Sequence, residues 1–463
     1  MSLSWTPLVA SVQAPEGSPL DSPDAIVRMA KASLLEGVGV LRLQGIENIR
    51  AVASATSVPI IGLIKRDYDD SEVYITPTET EVDALLQTPC QVVALDGTAR
   101  QRPGEDLAAL IHRIHKGGRL AMADCDSLES ALFAERAGAD FVGTTLAGYT
   151  SSRPMSSGPD IDLLRAVVSQ VRVPVIAEGR YGQRWQVEAA IAIGAHAVVV
   201  GGALNDPLKN TRALQPRLRP SRVGAVDIGG TWLRFACFEG ETMGSVERIA
   251  TPADPEERLA WIREQIASHQ LTRVGVSTGG TVDPHTGVVW EAKPIIPGHQ
   301  GSEFSERTLG VPTFALNDGL ATAWAHGWHR DFAGKRVATL ALGTGVGAGF
   351  VFDGQLWMGR RGEYLRLNDL PTTSGASYED LLGGAALSPN PTAAQREKAI
   401  EALRGAVETL LATLYPDVIV LAGSVGLSHW LLPIAADLGC VPSPFGHQAG
   451  LAGASLLAWM PPI

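Results

Sequence analysis

Eight short apolar or β-branched runs recur along the first 202 residues, and a stretch with helical patterning separates each from the next. The runs are LVASVQA, VGVLRLQ, VPIIGLIK, QVVALDG, RLAMADC, FVGTT, VPVIAEG and AVVVGG. Strands joined by helix-length crossovers pair in parallel, so this alternation predicts an α/β sheet rather than hairpins. Eight such units in roughly 200 residues are the number and length of a small closed (β/α)8 barrel. Asp126, Ser127, Leu128 and Glu129 read as a capping box that opens the helix SLESALFAERAG, with Gly138 ending it. Polar residues fall at the C-terminal ends of the strands: Gln13, Arg42, Lys65, Asp96, Asp124, Thr144 and Glu178. A strand end can be polar merely because it meets solvent, but in a barrel these ends share one mouth, and seven convergent residues point to a site.

The whole chain has 463 residues with 45% hydrophobic content, enough for two or three packed domains. Its 38 basic and 49 acidic residues give a net charge of −11, which disfavours partners such as nucleic acid or anionic membranes. Cys90, Cys125, Cys237 and Cys440 lie far apart, with neither a disulfide framework nor a thiolate zinc motif, so a reducing cytoplasm is expected. No targeting segment or membrane-length apolar run is written in the sequence.

After Gly202 the pattern decays into NDPLKNTRALQPRLRPSR, where Pro207, Pro216 and Pro220 are expected to break regular structure. The expected division is therefore a barrel over 1–215, a linker over 216–221 and a second domain over 222–463. From Val223 the strands VGAVDIGGTWLRFACFEG, VGVSTGG, VPTFALND and RVATLALGTGVGAGFVFDG alternate with a helix near Pro255 to His269. A long helix from Ala393 to Leu414 precedes DVIVLAGSVG, and the order describes a two-lobed α/β domain with glycine turns aimed at a central cleft.

In the first half, IKRDYDDSEVYITPT, LRLQG, MADC, VGTTLAGYT, IAEGRYG and VVVGGAL occur in order over essentially all of residues 1–215. Together they resemble the N-acetylmannosamine-6-phosphate 2-epimerases. The resemblance implies inversion at C2 of an N-acetylhexosamine 6-phosphate, with no cofactor. C2 lies beside the C1 aldehyde of the open-chain sugar, so its proton can leave to form an enolate and return on the other face. That chemistry needs a base, a group steadying the oxyanion and a phosphate anchor. Lys65 is the candidate base and Glu178 the second acid/base or ring-opening group. Arg42 and Asp124 are assigned to orienting the sugar and steadying charge at O1, and Gln13 to its hydroxyl or acetamido groups. Gly179, Arg180, Gly201 and Gly202 follow strands seven and eight, the usual phosphate station of a barrel. A lysine at a strand end also suits a Schiff-base aldolase, which a borohydride trap would reveal.

In the second half the turn of Asp227, Gly229, Gly230 and Thr231 lets backbone approach a phosphate, with Asp227 and Thr231 near Mg2+. The loop holding Gly343, Thr344, Gly345 and Gly347 repeats the device, and Gly423 marks a third turn. With VGVSTGGTVDPHTGVV, LND and IVLAGSVG, the segment from about 222 to 463 resembles the ROK family of sugar kinases and regulators. Hence an actin-like sugar-kinase fold using ATP and Mg2+ is expected, with Gly279 and Asn317 toward the sugar and Asp318 as catalytic base. Phosphoryl transfer needs positioning, charge neutralisation and one carboxylate to accept the hydroxyl proton. Taken alone, Asp318 also reads as a helix cap before GLATAWAHGW.

This chain departs from the family where a Glu-x-Gly-His motif and a cysteine zinc loop are usual, reading GEYLRLNDLPTTSGASYEDLL instead. Glu363 and Glu379 align with sugar-binding glutamates, whereas Arg366 stands at the histidine and no cysteine is present. Thr373, Ser374 and Ser377 cannot replace soft thiolates, so no structural zinc is expected. Arg366 is then free to contact sugar or to pair with Glu363 or Glu379. The loop must rest on packing or on a second copy, and a homo-oligomer is expected. Together the two resemblances imply consecutive steps of sialic acid catabolism: phosphorylation of N-acetylmannosamine at O6 with Mg-ATP, then epimerisation of the product to N-acetylglucosamine 6-phosphate. The alternatives are an epimerase carrying an inactive kinase domain as scaffold or sugar sensor, and a DNA-binding regulator, which the acidic barrel argues against.

Overall fold

The computed structural model describes residues 5–156, 158–216, 220–387 and 390–462. The chain forms two compact units, 1–215 and 216–463. Residues 217–219 of the expected linker lie outside the described residues.

The first unit is a closed barrel of eight parallel strands: β1 (Leu8–Val12), β2 (Leu41–Gln44), β3 (Ile60–Leu63), β4 (Val92–Asp96), β5 (Leu120–Asp124), β6 (Phe141–Gly143), β7 (Val175–Glu178) and β8 (Ala197–Val200). Each falls inside one of the eight apolar runs. Alternation along the strands sorts their side chains into two cores. Leu41 and Leu43, Ala121 and Ala123, and Val175 and Ala177 pack outward against the helices. Val40, Met122 and Ile176 fill the barrel interior. Two residues further along their strands, on the same inward face, come Arg42, Asp124 and Glu178. The apolar plug therefore ends in a charged layer.

Two local expectations need correction. Ser127 caps the helix Leu128–Arg136 by accepting from Ser130 N, but position N3 is Ser130, so the reciprocal glutamate bond of a capping box is absent. Pro207 starts a helix, Pro207–Leu214, instead of breaking one. Proline fits the first helical turn because its missing N–H would be unbonded there, and Asp206 caps the turn at Lys209 N (2.8 Å).

The second unit continues the numbering with β9 (Arg222–Ile228), β10 (Trp232–Glu239), β11 (Thr242–Ala250), β12 (Val274–Thr278), β13 (Thr281–Val282), β14 (Val289–Glu291), β15 (Thr313–Asn317), β16 (Val337–Leu342), β17 (Val346–Phe352), β18 (Gln355–Leu356), β19 (Val418–Ala422) and β20 (Cys440–Pro442). One sheet has the order β11-β10-β9-β12-β15 and the other β18-β17-β16-β19-β20, with β13 and β14 paired separately. Both begin with two antiparallel hairpin connections and finish with two parallel strands. The lobes thus share one connectivity.

The helix Ala449–Trp459 packs on β9 and β12 of the first sheet and on the helix Asp318–Gly327. Gly275 on β12 makes this possible, since a Cβ there would lie 1.9 Å from Ala454 O. Among the described residues no helix is long and apolar enough to cross a membrane.

Candidate active sites

At the barrel mouth the register places three charged side chains together from strands far apart in sequence. Arg42 donates from Nη2 to Asp124 Oδ2 (2.7 Å) and from Nη1 to Asp124 Oδ1 (3.1 Å), and Nη1 also bonds Glu178 Oε2. The side chains of Arg42 and Asp124 are 2% and 0% exposed, while Glu178 retains 13%. Burial pushes the Glu178 carboxyl well above its ordinary range; Arg42 opposes the shift and Asp124 adds to it. Lys65 follows β3 at the accessible rim and donates to Gln13 Oε1 (2.8 Å), whose amide donates in turn to Ser11 Oγ (2.9 Å). Its ammonium pKa is lowered by the surrounding protein and then by Arg42.

Several sequence assignments change in this setting. Arg42 is bonded to both Asp124 and Glu178, and Arg42 and Asp124 have no exposed edge, so the guanidinium spends its bonds on Glu178 and Asp124. Arg180 adopts a left-handed backbone (φ 60°), and its guanidinium donates to Gly158 O, Ala147 O and Ser156 Oγ (2.9, 2.7 and 3.2 Å). Three of its five donors therefore serve the loop after β6. Gly179, Gly201 and Gly202 lie at the ends of β7 and β8 as expected from sequence. Beside them stands an unassigned cation: a Cβ built on Gly202 would lie 3.4 Å from Lys209 Nζ. Asp96 is consumed locally by Thr98 and Arg100. Thr144 bonds the backbone of Glu178 on both sides. The neighbouring Thr145 meets both Asp124 and Glu178, which no strand pattern indicated.

In the second unit a cavity of about 320 Å3 is lined by Asp227, Gly229, Gly230, Gly279, Asn317, Asp318, Gly343, Thr344, Gly345, Gly347, Glu379 and Gly423. Twelve of the residues singled out from sequence therefore share one cleft. Thr231 and Glu363 do not line it. Thr231 is exposed in the β9–β10 turn, and the Glu363 carboxylate accepts from Arg361 N (2.9 Å). Asp318 opens into the cleft, yet its deep position and the Asp227 carboxylate push its pKa up to about 6. Asn317, not Asp318, caps the helix. Its Oδ1 accepts from Gly319 N and Leu320 N (2.9 and 3.3 Å) and its Nδ2 donates to Gly280 O (2.9 Å), which leaves one amide N–H at the cleft. Asp318 additionally accepts from Gly319 N (2.8 Å).

Arg366 lines the cleft but pairs with Glu291, from Nη1 at 3.0 Å and also from Nη2, not with Glu363 or Glu379. Glu379 instead receives Lys293 Nζ (2.7 Å) and Asn368 Nδ2 (2.9 Å), and Lys293 also reaches Asp369 (2.9 Å). Asp227 accepts from Ser277 (3.0 Å) and from Arg234, the latter one of the cleft residues. Lys293, Glu291 and Arg234 gave no sequence signal, because their importance depends on partners in other segments. The residues present do not fit a zinc site. Cys237 and Cys440 are buried on β10 and β20, and the segment 360–384 holds neither cysteine nor histidine.

Fold and sites define a two-domain sugar enzyme, with an epimerase-type barrel before a sugar-kinase-type unit. Residues 26–215 match the family model described as a putative N-acetylmannosamine-6-phosphate epimerase, and residues 223–364 match the ROK family. The "Bifunctional enzyme NanE/NanK" of Brucella suis biovar 1 (strain 1330) is 34% identical over 97% of this chain and 94% of its own length. A "Putative N-acetylmannosamine-6-phosphate 2-epimerase" of Clostridium perfringens (strain SM101 / Type A) is 47% identical over 44% of this chain and 93% of its own. The solved N-acetylmannosamine-6-phosphate 2-epimerase of Clostridium perfringens covers 45% of the chain and 91% of its own, at 45% identity and a TM-score of 0.44. The chain belongs to the family of bifunctional NanE/NanK enzymes. It is an enzyme with an epimerase half and a kinase half.

Proposed function

We propose that the second unit phosphorylates N-acetylmannosamine at O6 with ATP, and that the barrel epimerises the product at C2 to N-acetylglucosamine 6-phosphate. The observation that carries the barrel assignment is the mouth itself, where a lysine with lowered pKa and a carboxyl with raised pKa share one charged network. Two titratable groups displaced toward neutrality are what paired acid and base chemistry requires. Lys65 takes the C2 proton, and Glu178, whose protonated form burial favours, serves as the acid. Gln13 presents its amide to the sugar. The phosphate rests on backbone N–H groups at Gly179, Gly201 and Gly202, with Arg180 and Lys209 as the nearby cations.

In the kinase cleft Asp318 accepts the sugar hydroxyl proton, and Glu379, held by Lys293 and Asn368, orients the sugar. The glycine turns at 229–230 and 343–345 and at Gly423 receive nucleotide, with Arg234 as a nearby cation. Hard oxygen donors suit Mg2+, and Asp227 is the carboxylate that would hold it beside the phosphates, where it would neutralise charge. The retained Asp318 and glycine turns favour an active kinase over a scaffold. A cytoplasmic enzyme acting on small sugars, and assembled as a homo-oligomer, completes the reading.

Purified full-length protein given N-acetylmannosamine and Mg-ATP should release ADP and accumulate first the mannosamine and then the glucosamine 6-phosphate. ADP release without any sugar phosphate, or epimerisation without phosphorylation across amino sugars, would remove the kinase assignment. A borohydride-trapped lysine adduct would move the barrel to Schiff-base chemistry.

A further inference from the structure

Glu178 is gripped through one oxygen only. Arg42 and Thr145 both bond Oε2, the latter at 3.0 Å, and Oε1 has no hydrogen bond among the described residues. Thr145 Oγ1 also lies 2.6 Å from Asp124 Oδ1. A hydroxyl carries one proton and cannot donate to two carboxylates at once. The proton that Glu178 gives as acid must sit on Oε1, the oxygen left for the substrate, so Oε2 is an acceptor in both states, as carbonyl oxygen or as carboxylate. Thr145 can turn its one O–H to Oε2 in either state, and lies close enough to Asp124 to turn there instead.

We infer that Thr145 is a positioning residue of the epimerase site, holding Glu178 Oε2 in either protonation state and leaving Oε1 for the substrate. The inference rests on the acid/base role proposed for Glu178 and deepens it.

The local structure is arranged around this contact. Thr144 donates to Glu178 O (2.8 Å) and accepts from Glu178 N (3.0 Å), so consecutive threonines fix backbone and carboxylate together. Gly143 supplies the space: a Cβ there would lie 3.0 Å from Thr145 Oγ1, 3.3 Å from Asp124 Oδ1 and 2.8 Å from Met122 Cε. The charged and titratable groups influencing Glu178 are Arg42 on β2, Lys65 after β3 and Asp124 on β5, with Tyr74 facing the same network beside Arg42 and Asp124. Arg42 already donates to Oε2, Lys65 donates to Gln13, an ionised Asp124 can only accept, and Tyr74 makes no hydrogen bond to Glu178 among the described residues, so Thr145 is the second donor to Oε2.

The test compares wild type with Thr145→Val, Thr145→Ala, Thr145→Ser and Glu178→Gln in the full chain. Epimerisation, C2 deuterium exchange and melting are followed from pH 5 to 9. In Thr145→Val, kcat should fall about 10- to 100-fold, the loss expected for one hydrogen bond to a charged group, with KM changed less than about threefold. The pH limb belonging to Glu178 should move upward by about one unit, because the ionised form loses a donor. Thr145→Ala, which adds no bulk, should repeat both effects if valine disturbs packing. Thr145→Ser should restore kcat to within about threefold of wild type by keeping the hydroxyl. An unchanged kcat and pH profile in both valine and alanine variants overturns the inference, as does a serine variant no better than valine. A lower melting temperature with an unmoved pH profile also overturns it, reducing Thr145 to a structural role. Normal epimerisation by Glu178→Gln would reject the Glu178 role itself, whereas an inactive Glu178→Gln beside a normal Thr145→Val rejects only the positioning role.

Discussion

Replacing Arg42 by methionine, which keeps much of the side-chain volume but removes the charge, should unfold the barrel at a far lower temperature. In the native protein Arg42 makes two bonds to Asp124 and one to Glu178, with side-chain exposures of 2%, 0% and 13% in that order. Removing one partner of so buried an ion pair leaves the others uncompensated and costs about 3–5 kcal/mol. For a unit of this size each kcal/mol moves Tm by about 2–4 °C, so a drop of about 6–20 °C is expected. Differential scanning calorimetry of the full chain would read it as a shift of the barrel transition, with the melt of the isolated second unit identifying the other. The pH dependence has a definite sign. Arg42 lowers the Glu178 pKa, so its loss drives the folded-state value further above the unfolded one. The deficit is then largest at pH above the folded pKa and shrinks as pH falls through it and Glu178 takes up its proton. The double variant Arg42→Met/Asp124→Leu should recover part of the loss by removing a stranded charge. A shift under about 2 °C in Arg42→Met, or a deficit that grows toward low pH, would refute the view that this guanidinium holds the mouth together.

Lys65→Ala should abolish epimerisation and C2 exchange in deuterated water; retained exchange would move the base role to Glu178. Kinase turnover should fall as pH drops through about 6, since protonated Asp318 cannot take the hydroxyl proton, and Asp318→Asn should lose phosphorylation while calorimetry still detects ATP binding. Lys209→Ala should raise KM for the sugar phosphate by about tenfold with little change in kcat, as expected for loss of one exposed phosphate contact, and an unchanged KM would exclude it from the anchor. Elemental analysis of the purified protein should find no stoichiometric zinc, and zinc ligated within 360–384 would contradict the donor set there.

The strands and the placement of Arg42, Asp124 and Glu178 toward their C-terminal ends were legible because LRLQ, LAMAD and VIAE are short apolar runs carrying a polar residue near the end. What these residues do was not. Arg42 meets Asp124 and Glu178 across 82 and 136 residues of chain, and only closure of the barrel decides that they spend their bonds on one another. The contacts of Arg180 were hidden for the same reason, since the carbonyls it bonds belong to the loop after β6. In the second unit the glycine turns announced a phosphate cleft, because glycine marks where backbone must come close to a ligand. Lys293 and Glu291 stayed invisible, being ordinary charged residues whose partners Glu379 and Arg366 come from segments more than seventy residues away. The helix cap was misread by one position: it is Asn317, the residue before the helix, and not Asp318.

The seat of helix Ala449–Trp459 has a consequence for how the two units come into being. The barrel closes entirely within residues 1–215, so a ribosome that has released those residues has released everything that domain needs. The second unit has no such early completion. Its first sheet begins at Arg222, but the helix that covers β9 and β12 arrives more than two hundred residues later. Until then the apolar face around Val223, Ala225 and Ala236, which packs on Leu451 and Ala454, stays open. During synthesis the epimerase half can therefore mature while the kinase half waits, unfinished and exposed to aggregation. A chain stopped before Ala449 would carry one finished domain and a kinase lobe with its apolar face uncovered.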